Sequence, residues 1–253
     1  MIRRYKVRIA YDGSQYSGWQ YQENATGIQQ LVEEALEYVE RGKTRVYGSS
    51  RTDAGVHAKG FVAHFDLSKP IPPKNLVKAL NSRLPPDIRV MSASYAKSDF
   101  DARISARGKE YRYFVYQSDI MPPHLALYNT FCHRPLDLAA MQSAAQYFVG
   151  EHDFVSFAAN PNRQLETTVR RIYSFKVKKC GKRIEFVVRG NGFLYKQVRS
   201  MVGFLLSVGK GNEKPEAVME LLEAKTPRTA RVETAPPQGL FLWKVFYTSR
   251  GLV

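Results

Sequence analysis

The strongest constraint on the fold is an order of elements that occurs twice along the chain. Tyr5–Asp12 alternates as a strand, and Ile28, Leu31, Val32, Ala35, Leu36 and Val39 then fall on one face of a helix. Thr26-Gly-Ile-Gln29 has capping-box spacing at the start of that helix. Strands at about 45–48 and 60–67 follow, then a helix with Leu76, Val77 and Leu80 between Pro72-Pro73 and Pro85-Pro86. Ile88–Tyr95 alternates as the next strand. The second half repeats the order. It has a strand at Glu110–Tyr116, a helix capped by Asp137 and ended by Gly150, and a hairpin of Arg171–Val177 and Arg183–Arg189 around Gly181. Helices at Leu194–Val208 and Pro215–Glu223 and a last strand at Gly239–Tyr247 complete it. Two β-α-β-β-α-β runs predict an α+β protein of two ferredoxin-like (βαββαβ) halves, residues 1–100 and 101–253, joined near 96–108. The two halves share element order but no visible sequence similarity.

Charge narrows the partner. The 253 residues carry 38 Lys and Arg against 23 Asp and Glu, a formal net charge of +15. That excess is larger than solubility needs and points to a polyanion, with nucleic acid first. Cys132 and Cys180 are the only cysteines, which makes neither a disulfide framework nor a zinc site and suits a reducing compartment. The sequence holds no apolar run long enough for a signal peptide or a membrane span, so the expected setting is cytoplasmic, with no membrane partner. Walker loops, GxGxxG runs and metal-ligand clusters are missing as well. His57, His64, His124, His133 and His152 are scattered and read as structural or RNA-facing.

One loop concentrates reactive chemistry. Val46-Tyr47 ends a strand, Gly48-Ser49-Ser50 breaks the pattern, and Arg51-Thr-Asp-Ala-Gly55 makes a tight polar turn before the chain extends again from Gly60. A loop between two strands holds a carboxylate at the surface on a rigid base. Arg51 stands two residues before Asp53, close enough to keep it ionised and oriented. Gly55 lets the backbone turn back, and Thr52 can hydrogen-bond locally. In the preceding loop Tyr16 and Trp19 are candidates for exposed aromatics.

Gly48-Ser-Ser-Arg-Thr-Asp-Ala-Gly-Val-His-Ala58 closely resembles the signature of the TruA-type tRNA pseudouridine synthase family. Phe100-Asp-Ala-Arg103, Lys109-Glu-Tyr-Arg-Tyr113 and Asn191-Gly-Phe-Leu-Tyr-Lys-Gln-Val-Arg-Ser-Met-Val-Gly203 match further family segments, so the likeness runs from about Tyr5 to Tyr247. Ser49-Ser50 stands where many bacterial members carry Ala-Gly. The resemblance implies two α/β halves with a joint antiparallel sheet and a basic cleft between them. It also implies isomerisation of uridine to pseudouridine in the anticodon stem-loop of tRNA, around positions 38–40, by a homodimer. By the same resemblance Asp53 is the catalytic carboxylate and Arg199 its partner. Arg51 displaces the target base and fills its space, Tyr111 stacks on the extruded uracil, and Leu240 packs on the base's other face.

The reaction breaks the N1–C1′ bond, turns the base and rejoins it through C5. It involves no redox change, so it requires neither a cofactor nor a metal. Its requirement is an ionised carboxylate acting as nucleophile, at C6 of the base or at C1′ of the sugar. A carboxylate in a partly dry pocket needs a nearby cation to stay charged. Arg199 lies among Leu194, Val198, Met201, Val202 and Leu205 on an apolar helix, and a buried arginine calls for a carboxylate. Tyr111 stands with Tyr113 and Tyr116 on a strand, where core packing accounts for an aromatic equally well. Two other classes compete. A non-catalytic RNA-binding protein with RRM-like halves would show an RNP1-type run, which Lys109–Tyr113 only loosely approaches. An acid/base hydrolase would pair Asp53 with a second carboxylate in a recognisable motif.

Overall fold

The structure is a computed structural model that describes residues 2–159 and 167–252. In chain order its elements are β1 (Arg3–Tyr11), α1 (Ile28–Glu40), β2 (Tyr47–Gly48), β3 (His57–Leu67), α2 (Pro73–Asn81), β4 (Ile88–Tyr95), β5 (Gly108–Gln117), α3 (Pro123–Ala126) and β6 (Thr130–Cys132). They continue with α4 (Leu138–Tyr147), β7 (Gly150–Asp153), β8 (Val169–Cys180), β9 (Arg183–Gly190), α5 (Gln197–Gly209), α6 (Ala217–Ala224) and β10 (Leu240–Phe246). The class is mixed α/β with mostly antiparallel strand pairing. Two compact units result, Met1–Arg107 with Phe241–Thr248, and Gly108–Leu240 with Ser249–Val253. Among the described residues no helix is long and apolar enough to cross a membrane.

In the first unit β4, β1 and β3 pair antiparallel in that order. β2 pairs antiparallel with His64 and Ala63 of β3, while Phe241 and Leu242 of β10 run parallel to His57 and Ala58. That parallel pairing is why the last strand groups with the first unit. Register sets Tyr5 opposite Phe65, Val7 opposite Ala63 and Ile9 opposite Phe61, and all six are fully buried. The period of two sends them to one face, where Ile28, Val32 and Leu36 of α1 and Leu76 and Leu80 of α2 complete the core. A strap, residues 98–105, crosses the other face. Arg4 donates to the Ser98 and Phe100 carbonyls at 2.6 and 3.0 Å, and the Ala102 N–H donates to His64 Nδ1 at 3.0 Å. The Tyr247 hydroxyl donates to the Ala102 carbonyl at 2.8 Å. Phe100–Arg103 is therefore anchored through its backbone.

In the second unit β7, β8, β9 and β5 pair antiparallel in that order, and β6 runs parallel to β5. Tyr113 lies opposite Phe186, and Phe186 opposite Val177. α4 packs on this face, with Gln142 and Gln146 donating to the carbonyls of Val177 and Phe175. Phe148, Phe154, Phe157 and Phe204 are fully buried and close the core.

Several local expectations change. Thr26 does not cap α1. Gly27 occupies the N-cap, because the Thr26 carbonyl accepts the Ser17 N–H and the Gln29 amide turns inward to the Val46 carbonyl at 3.1 Å. Trp19 is buried rather than exposed and stacks on Phe61 at 3.9 Å. α4 ends at Tyr147, and Gly150 opens β7 instead. α5 starts three residues later than its hydrophobic pattern, because Lys196 adopts a left-handed backbone (φ 59°) and Gln197 Oε1 accepts the Leu194 N–H. Asp137 caps α4 as expected, its side chain accepting the Ala140 N–H at 2.9 Å.

Candidate active site

The Asp53 loop is irregular backbone held by a second irregular stretch, residues 12–19. Trp19 N–H donates to the Thr52 carbonyl at 3.2 Å and Gly55 N–H to the Tyr16 carbonyl at 3.3 Å. The Thr52 hydroxyl is buried and shares a 2.8 Å hydrogen bond with the Tyr11 hydroxyl. Its partner is 41 residues away, where the sequence suggested a local one. Gly13 N–H donates to Nδ1 of the fully buried His57 at 3.0 Å, which ties the entry of the holding stretch to the start of β3. The two stretches come close at Gly13, where a Cβ would stand 2.1 Å from the Val56 carbonyl oxygen, and again at Gly18. Its φ is +95°, and a Cβ there would stand 2.3 Å from the Thr52 carbonyl oxygen, so no other residue lets the two stretches meet this way.

Asp53 itself begins a four-residue turn, its carbonyl accepting the Val56 N–H at 3.2 Å. Gly55 sits at the third position with φ +75°, the conformation the sequence anticipated. Ser49 is fully buried and exchanges bonds with β3, its N–H donating to the Val62 carbonyl and its hydroxyl accepting the Val62 N–H. Both margins of the loop are thereby fixed. Arg51 is exposed and Asp53 half-buried at its apex.

The second unit gathers three candidates around Tyr113. Eleven of the thirteen residues of α5 are buried, and Arg199, half-buried, is its only charged side chain. The segment that follows α6 returns across this helix. Ala235 N–H donates to the Arg199 carbonyl at 3.0 Å, and Arg199 Nε donates back to the Ala235 carbonyl at 2.8 Å. Gly203, one turn on, permits the crossing, since a Cβ there would lie 2.1 Å from the Glu233 carbonyl oxygen. The Arg199 guanidinium is therefore oriented through its inner nitrogen.

Tyr113 holds the same returning segment. Its hydroxyl donates to the Pro236 carbonyl at 2.8 Å and contacts the Thr130 hydroxyl. Burial pushes that hydroxyl's pKa up, against opposing effects of the Thr130 hydrogen bond and the Arg199 charge. Pro237–Gly239 forms a short 3-10 turn against the Tyr113 ring, and Leu240 follows it, buried. Tyr111, two residues before Tyr113 on β5, is buried and meets Phe193 edge-to-face at 5.2 Å. Glu110 and Arg112 alternate with these tyrosines. Glu110 is gripped by Arg112 and Arg189 at 2.8 and 2.7 Å.

Arg51 and Asp53 thus share one loop of the first unit, while Tyr111, Arg199 and Leu240 belong to the second, where Tyr113 and the Ala235–Pro236 segment link α5 to the turn before Leu240. The positioning roles of Tyr11, Trp19 and His57 in the first unit, and of Tyr113 and Ala235 in the second, were not legible in the sequence. The glycines of Asp12–Gly18 were the available signal for a close approach.

The family model for tRNA pseudouridine synthase matches residues 8–103 and 144–248. The chain belongs to the tRNA pseudouridine synthase family. Among its relatives, tRNA pseudouridine synthase A of Exiguobacterium sibiricum is 44% identical over 97% of this chain and 97% of its own length. The enzyme of the same name from Limosilactobacillus fermentum is 45% identical over 98% and 97%, and that of Chlamydia trachomatis serovar A 43% over 98% and 93%.

Proposed function

We propose that this chain isomerises uridine to pseudouridine in tRNA, at positions 38–40 of the anticodon stem-loop, with Asp53 as the nucleophile. The observation that carries the reading is the Asp53 loop, an irregular stretch fixed at Ser49, Thr52 and Gly55 so that a half-buried carboxylate sits at its apex. A fixed carboxylate attacks without first paying the entropy of being ordered.

Arg199 supplies the positive charge that partners this carboxylate. Arg51, exposed beside it, enters the stack and takes the space the target base leaves. Tyr111 presents an aromatic face to the extruded uracil, steadied by its edge contact with Phe193. Leu240 covers the other face of the base. We read both units as ferredoxin-like. The first has β4-β1-β3-β2 order, and the second places β5, α4, β8, β9 and α5 in the matching sequence. A cytoplasmic homodimer belongs to the same reading.

The test is release of tritium from 5-labelled uridine in tRNA, since only this isomerisation displaces the C5 hydrogen. Asp53→Asn keeps shape and loses nucleophilicity, so release is expected to stop while tRNA affinity stays within a few-fold, roughly what a surface polar change does. Substantial release by the Asn variant would remove Asp53 from the mechanism.

A further inference from the structure

The β8–β9 hairpin carries charge that the candidate site does not use. Val169–Gly190 holds eight Lys or Arg and a single acid, Glu185, so 22 residues account for nearly half of the chain's net +15. α4 covers one face of this hairpin, over the buried Phe175 and Val177. Alternation sends Lys176 and Lys178 to the opposite face, and register puts Arg183 beside Cys180 on that face too. Lys179 and Lys182 flank Gly181 at the tip, hydrogen-bonded to the neutral Gln117 and Ser118 side chains. All five of these cations are exposed.

Glu185 lies opposite Lys178 in register, but its carboxylate is engaged by β5. Glu185 is paired with Arg112 at 2.9 Å, and Glu110 with Arg112 and Arg189. Among the described residues, none of the five cations has a carboxylate within ion-pair distance. β7 pairs with β8 only at Val169–Ile172, so the outer part of β8 is a sheet edge, and lysine on an edge keeps foreign strands away. That accounts for Lys176 and Lys178. It does not account for Arg183, which lies on β9 between β8 and β5, or for Lys182 in the turn. Like charges on neighbouring strands repel, and a polyanion relieves that repulsion.

We propose that this hairpin is a second RNA-docking surface, separate from the residues assigned to the reaction, that takes the phosphate backbone of the tRNA. The proposal rests on tRNA being the substrate. Lysine heads are flexible point charges, so the contacts bind phosphate without reading bases. Affinity, rather than catalytic rate, is what they control.

The experiment measures tRNA affinity and turnover for Lys178→Glu/Lys179→Glu/Lys182→Glu, with the Gln and Arg triples alongside. From ~50 to ~300 mM salt, the Glu triple is expected to bind at least about tenfold more weakly, with a salt slope shallower by roughly 2–3, near 0.9 per lost phosphate contact. The Arg triple should bind like the natural chain and the Gln triple in between, and kcat at saturating tRNA should hold in all three. If the Glu triple fails to fold, the Gln triple carries the same comparison. Unchanged affinity and slope in either neutral or acidic variant overturns the proposal. Self-association with unchanged tRNA affinity also overturns it and leaves the lysines as edge protection. A natural chain that binds no tRNA would instead overturn the functional reading on which this one rests.

Discussion

The two units hold their candidate residues by opposite means. Asp53 stands on irregular backbone kept in place by directional contacts: a hydroxyl pair, two loop-to-loop N–H bonds and a glycine that allows the approach. Arg199 stands on a regular helix whose placement comes from apolar burial, and its inner nitrogen is tied to the Ala235 carbonyl. Burying a Val, Leu, Met or Phe side chain stabilises by about 1.5–3 kcal/mol, whereas one intramolecular hydrogen bond contributes about 0.5–1.5 kcal/mol net. Damage at the first site should therefore appear in rate more than in stability. Damage around the second should appear in stability, except where the guanidinium itself is removed.

After Asp53→Asn, removing that guanidinium gives the largest effect. Arg199→Met keeps much of the packing on α5 but takes away the charge proposed above as the partner of Asp53. Turnover should fall by about 10²–10³, the usual cost of removing a charge aimed at the reacting group. Arg199→Lys should keep more activity than Met and less than arginine, because lysine lacks the planar two-point donor. Turnover near the natural rate at every pH in the Met variant would make α5 a purely structural element.

The same glycine change in each region sharpens the contrast. Gly18→Ala drives a Cβ into the Thr52 carbonyl and should cut kcat by about tenfold to a hundredfold, as small misplacements of reacting groups do, with a smaller drop in Tm than the change in α5 gives. Gly203→Ala drives one into the Glu233 carbonyl inside a packed helix. It should cost about 1–3 kcal/mol of stability, seen as a lower Tm, with a smaller loss of kcat in the protein that remains folded. If Gly18→Ala lowers Tm as much as Gly203→Ala and leaves kcat alone, the division of labour between the two regions is wrong.

A gentler probe is Tyr11→Phe, which deletes the hydroxyl shared with Thr52 and leaves the ring on Trp19 and Phe61. Losing one buried hydrogen bond of about 1 kcal/mol should lower kcat roughly fivefold at constant KM. A change confined to KM would mean that the bond supports RNA binding instead.

The smallest effect belongs to the strap. Burial holds the His64 imidazole below its ordinary value of 6.5, although Asp101 acts in the other direction. The unfolded chain therefore binds a proton there before the folded one does, and stability falls as pH drops below 6.5. His64→Gln should flatten the decline in denaturation midpoint over about pH 5 to 6.5 without altering kcat. An unchanged slope would assign the acid sensitivity to the carboxylates, among them Asp66, held low chiefly by its hydrogen bond from Arg4.

The sequence by itself determined what depends on a residue's near neighbours. Alternation in Tyr5–Tyr11 and Ile88–Tyr95, the apolar face of α1, the Asp137 cap, the Gly181 turn and the glycine conformation at residue 55 are all legible over a few residues. So was the run Gly48–Ala58, which singled out Asp53. Tertiary structure decided whatever depends on a distant segment. Thr52 meets Tyr11 across 41 positions, Gln29 leaves its expected cap for Val46, and Trp19 goes inward onto Phe61. Gly203 has its reason in Glu233, and the last strand has its place beside β3. Periodicity reports which face of its own element a side chain occupies. It carries no information on which remote backbone will arrive at that face, and at the Asp53 loop and at α5 that arrival holds the candidate residues in position.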